Sequence, residues 1–198
     1  MSKFKTPDSP PKEYLKKLEE LADYSLEFLM SIFPLRQKSE AAVSEFIAKH
    51  SSNYYLKVLR PNGKKYVPMV GEYVSSEAAK KIFNGDFKGL RFEHCVPKQK
   101  YIHDQILYRI EHPEEDNPTS PQETSRNLYR QLWRIAIITE CEDKLLGLRF
   151  EKEMPEGWVY EDETSPFARY EKAGIQISLW TDKDESDLKK TKTSKNHK

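Results

Sequence analysis

Cysteine is scarce in this chain: two residues in 198, Cys95 and Cys141. They form no CxxC pair, which excludes a zinc ribbon built on paired thiols. An excess of one charge is also lacking. Thirty-three lysines and arginines face 32 acids, a formal charge of +1. That balance excludes an acidic nucleic-acid mimic and a uniformly basic surface, so any affinity for phosphates has to come from a local patch. No apolar run approaches the ~20 residues that a membrane span needs. The first residues are polar and carry no apolar segment of the secretory kind. These absences make the cytoplasm the expected compartment and give no reason to expect a membrane partner.

What is present is the material of a folded core. Hydrophobic residues make up 37% of the chain, aromatics 12% and charged residues 33%. Such a composition suits one folded body with a well-solvated surface. The expected organisation is a flexible N-terminus over 1–10, a single α+β domain over 11–180 with a helical hairpin lobe at 11–50, and a disordered charged tail over 181–198.

In the lobe, Leu15, Leu18, Ala22, Ser25, Leu29 and Ile32 recur at spacings of three and four, the stripe of an amphipathic helix. Pro34 ends it. A second helix starts near Ser39 and runs through Ala42, Val43, Phe46 and Ile47. Tyr54 to Leu59 then reads as a strand, and Pro61-Asn62-Gly63 as the turn to another beginning at Tyr66-Val67. A short helix over 76–83 stops at Asn84-Gly85. Strands are expected near 54–60, 90–96, 133–139 and 174–180, in a small mixed or antiparallel sheet with inserted helices. The β-branched run at 133–139 is the clearest of them. After it, Thr139 suits an N-cap and Glu142 the matching capping-box position, with Glu140 and Asp143 complementing the positive helix end.

Glu93-His94 is the pair that most suggests chemistry. Phosphodiester hydrolysis needs an activated water and relief of charge on the leaving oxygen. An imidazole can take the proton near neutral pH, and a divalent cation held by oxygen ligands can neutralise the charge. Adjacent strand residues face opposite ways, so a bulge or a strand end has to re-aim one of the two. A catalytic cysteine is disfavoured, because acids beside Cys95 and Cys141 raise a thiol pKa rather than lower it.

The pentapeptide Glu93-His94-Cys95-Val96-Pro97 resembles the first element of the HNH, or His-Me finger, endonucleases. The resemblance implies a β-hairpin followed by a helix, with Mg²⁺ or Mn²⁺ as cofactor and DNA as substrate. It would make His94 the general base and Glu93 a metal ligand. The segment 133–139 would be the second strand. Glu142 or Asp143, on the helix opening at Thr139, would complete the metal site, and 98–131 would be a helical insertion. The chain departs from the family in having no Gly-Gly after the proline and no His on that helix.

A second reading needs no catalysis. Lys57, Arg60, Lys64 and Lys65, interleaved with Tyr54, Tyr55 and Tyr66, would form a basic aromatic hairpin over 54–67. Such a surface can hold phosphates and stack bases, or dock a protein partner, as a regulator or inhibitor would. The same lysines would equally protect a sheet edge.

Overall fold

The computed structural model describes residues 7–36, 38–60, 66–113, 119–150, 152–160 and 164–195. The elements run in the order α1 (Lys12–Ile32), a 3₁₀ turn (Phe33–Leu35), α2 (Glu40–Tyr54), a π-helical turn (Tyr55–Leu59), β1 (Tyr73–Ser75), α3 (Ser76–Phe83) and β2 (Leu90–His94). A second π-helical turn (Gln99–His103), α4 (Asp104–Glu111), α5 (Pro121–Leu132), β3 (Ile135–Thr139) and α6 (Glu140–Phe150) follow. The chain ends with α7 (Ala168–Ala173), β4 (Ile177–Leu179) and α8 (Asp182–Lys195). The fold is α+β, with a small mixed sheet. No helix among the described residues is long and apolar enough to cross a membrane.

The chain divides into two compact units rather than one domain. One comprises Met1–Tyr14, Gly63–Val96 and Arg134–Lys198; the other comprises Leu15–Asn62 and Pro97–Trp133. The helical lobe is therefore larger than the hairpin expected at 11–50, because the segment inserted between β2 and β3 belongs to it.

The first unit holds a sheet in the order β2-β3-β1-β4. β1 runs parallel to β3, while β2 and β4 run antiparallel to their neighbours. On one face, Ala136 and Ile138 pack with Leu146 of α6 and with Phe167, Tyr170 and Ile175. On the other, Val74, Leu90 and Ile137 pack with Ala78 and Ile82 of α3, Trp180 and Leu188 of α8. Both faces of β3 are covered, which explains its unbroken apolar run. β1 escaped the sequence reading because it has three residues and no alternation: Tyr73, Val74 and Ser75 are all buried.

Residues 182–195 form a helix, not the disordered tail expected over 181–198. Thr181 and Asp184 close a capping box, with Thr181 N–H donating to Asp184 Oδ2 at 2.9 Å and Asp184 N–H donating to Thr181 Oγ1 at 3.4 Å. Leu188 is buried in the sheet's core. One cap and one apolar anchor order a segment that composition alone reads as solvated.

In the second unit, α1 and α2 pack as the expected pair. Tyr54 Oη donates to Glu20 Oε1 at 2.9 Å, and the rings of Tyr24 and Phe28 on α1 stack on His50 of α2. The expected strand at 54–60 is instead helical. Val43, Ile47, Ser51, Tyr55 and Leu59 are all buried at a spacing of four, so the stripe of α2 continues through the π turn. Burial at helical period overrides the β-preference of Tyr-Tyr-Leu-Lys-Val-Leu.

Candidate functional site

β2 and β3 pair without a bulge, from Leu90 opposite Thr139 to His94 opposite Ile135. Unbroken alternation sets Glu93 and His94 on opposite faces. Glu93 shares the face of Ala136, under α6 and α7. There Arg169 Nη1 donates to Glu93 Oε1 at 3.1 Å, and the same nitrogen donates to the carbonyl of His94 at 3.4 Å. His94 takes the face of Leu90 and Phe92. The strand therefore re-aims neither residue toward the other.

The same register decides the distance to the acids of α6. Antiparallel pairing brings the start of β2 to the end of β3. Glu93 and His94 stand three and four residues from that point, roughly 10–13 Å along the strand. The first turn of α6 thus opens at the far end of β2 from the Glu93-His94 pair. On the face that carries Glu93, α6 lays down Leu145, Leu146 and Phe150, which are apolar. The convergence of His94, Glu93, Glu142 and Asp143 on one centre is not what this register produces. No group of three or more His, Cys, Asp or Glu side chains placed to hold a metal occurs among the described residues.

Glu142 has a different neighbourhood. Its Oε2 accepts from Thr139 N–H at 2.8 Å, from Thr139 Oγ1 at 2.8 Å and from Ser75 Oγ at 2.7 Å. Glu142 N–H in turn donates to Thr139 Oγ1 at 3.3 Å. This is the capping box expected from the sequence, extended by one bond to a neighbouring element. Ser75 is itself the N-cap of α3 and accepts from Ala78 N–H at 3.1 Å. One carboxylate oxygen therefore joins the starts of α3 and α6 at the carboxyl ends of two parallel strands. The chain's own anion occupies the spot where helix ends and strand ends favour one. Glu140 is held below the ordinary carboxylate range by the Lys144 ammonium, with Arg91 adding to the effect.

Between 154 and 170 the described residues divide, with Val159 and Tyr160 exposed. Met154, Phe167, Arg169 and Tyr170 are buried. Burial pushes the Cys95 thiol up to about 12, so it remains a protonated, inert core group. Cys141 is exposed.

Among the described residues, the cations and tyrosines expected in the basic hairpin over 54–67 do not form one surface. Tyr55 is fully buried with its ring 5.9 Å from Trp133, and Arg60 is buried as well. Lys57 is exposed on the π turn, while Tyr54 is engaged by Glu20. Tyr66 packs against the sheet core from a left-handed backbone position, φ 68°. Lys64, Lys65 and the expected turn lie outside the described residues. Tyr55 and Lys57, two apart, would share a face on a strand, whereas on a helical turn they fall on opposite sides.

An apolar surface lies open in the helical unit. Phe28, Ile32, Leu35, Val43 and Phe46 line a groove of about 310 Å³ where α1 ends and α2 begins, with Lys38 and Ser39 at its margin. Phe46 is 67% exposed and Leu35 51%. The signal was in the sequence: Phe46 departs from the period-four stripe that Val43 and Ile47 follow. No protein-family model, curated protein or solved structure matches the chain.

Proposed function

We propose that the chain is a non-catalytic protein-binding regulator whose helical unit docks a partner in the groove at the end of α1. The observation that carries this reading is the pair of exposed apolar side chains, Phe46 and Leu35, beside a groove whose other walls are Phe28, Ile32 and Val43. Large exposed apolar side chains around a concavity are the mark of an interaction surface. Phosphates gain little from such a lining, which favours a protein partner over DNA. The occupant that fits is an amphipathic helix bearing large apolar side chains, with an acidic residue complementing Lys38 at the margin. Divalent-metal endonuclease chemistry is not the reading adopted, because Glu93 and Glu142 have separate structural partners and stand at opposite ends of β2.

The test is crosslinking in the source cells with the wild-type chain and with Phe46→Glu and Leu35→Glu, each variant first checked for folding by circular dichroism. A protein crosslinked to wild type and lost from both variants supports the reading. The same crosslinked set for all three overturns it. Light scattering adds a further outcome: a wild-type dimer that Phe46→Glu dissociates would make the occupant a second copy of the chain, not a regulated partner.

A further inference from the structure

The helical unit contains a buried polar cluster that the binding reading does not use. His103, the last residue of the second π turn, is fully buried. Its Nδ1 lies 3.4 Å from Gln99 Oε1, which can only accept, so Nδ1 carries the proton. Its Nε2 lies 3.2 Å from Ser51 Oγ on α2 and 3.2 Å from Tyr129 Oη on α5. Ser51 Oγ donates to the carbonyl of Ile47 at 3.1 Å. That leaves the Tyr129 hydroxyl to donate to Nε2. One neutral imidazole therefore ties three elements together.

We propose that this cluster of Ser51, Gln99, His103 and Tyr129 is an acid-sensitive latch, and that protonating His103 opens the helical unit along the seam between α2, the π turn and α5. A second proton on the ring would turn Nε2 from acceptor to donor, so that Tyr129 could no longer donate to it, and would leave a charge in a buried site. Among the described residues, the acid next in the chain, Asp104, accepts from Gln99 Nε2 at 2.8 Å. The groups that face the ring are Ser51 from α2, Gln99 and Lys98 from its own segment, and Tyr129 from α5. Lys98 is the charged one, and it is positive. A buried imidazolium beside an ammonium is costly, so the proton is taken up by the opened state.

The sign follows from linkage. Burial, with a smaller contribution from Lys98, pulls His103 down from 6.5 to about 3. The stabilisation is fully present above 6.5 and is lost progressively as pH falls toward 3. The opening constant of the latch should rise about tenfold per pH unit across that window, one proton being bound on opening. α2 also supplies Val43 and Phe46 to the groove, so a released α2 removes one groove wall. This consequence rests on the binding reading; the latch itself does not.

The experiment is amide hydrogen exchange of the full chain between pH 7 and 4, corrected for intrinsic rates. Peptides from α2 and α5 should lose protection about tenfold per pH unit below 6, while β3 retains its own. Equal pH slopes in β3 and in α2 would overturn the latch. His103→Gln should flatten the slope, and His112→Gln, an exposed ring just past α4, should leave it intact; the reverse pattern refutes the assignment. Should His103→Gln fail to fold, the imidazole of the wild type decides by NMR. A ring still neutral at pH 5 supports the latch, and one that titrates near 6.5 in the folded protein sinks it.

Discussion

Arg169 on α7 and Glu93 on β2, 76 positions apart in sequence, form an ion pair of 3.1 Å that binds a helix to the edge strand of the sheet. The guanidinium side chain is 4% exposed and the carboxylate 26%. Arg169→Met should therefore cost about 2–3 kcal/mol, because it strands a half-buried carboxylate. Glu93→Gln should cost less, and the double variant should recover part of the loss. Urea unfolding of the four-member cycle measures the coupling. An additive cycle would mean that the pair contributes no specific stability.

Glu142 and His94 should behave as strangers. Glu142→Ala removes the capping box and the bond to Ser75, at about 1–2 kcal/mol. With His94 at the other end of β2, the effects of Glu142→Ala and His94→Ala should add within about 0.5 kcal/mol. Strong non-additivity, or a melting temperature raised by Mn²⁺ in wild type and not in either variant, would restore a shared metal site.

Two glycines offer a matched comparison. Gly71 has φ +98°, and a Cβ there would lie 2.5 Å from Tyr14 Cγ; Gly85 has φ +78° and open space around it. Gly85→Ala should cost about 1 kcal/mol, the backbone strain alone. Gly71→Ala adds a collision with a buried ring and should cost at least twice as much. Thermal unfolding of the two variants ranks them, and equal losses would mean that Tyr14 yields freely.

Leu188 anchors α8 to the sheet core. Leu188→Ala should cost about 2–3 kcal/mol and remove exchange protection from 182–195 while leaving α3 protected. Protection that persists would show that the capping box and surface ion pairs of α8 suffice without an apolar anchor.

The sequence by itself determined what local chemistry controls. The stripe of α1, the end of α3 at Asn84-Gly85 and the Thr139–Glu142 capping box are all legible, because each depends on residues within one or two turns. β3 is legible too, since burial on both faces leaves a continuous apolar run. The capping reading of Glu142 followed from its spacing to Thr139 alone. The tertiary structure decided the rest. Nothing local specifies that β2 pairs antiparallel to β3, and that register sends the Glu93-His94 pair and the start of α6 to opposite ends of a strand. Tyr54–Leu59 has strand-forming residues, yet its buried positions continue the period of α2, and packing outweighs propensity. Asp182–Lys195 looks solvated until Leu188 meets a core assembled from residues 74–180. In each case the deciding free energy comes from surfaces that meet only once distant segments are folded together, and a linear pattern carries no record of which surfaces those will be.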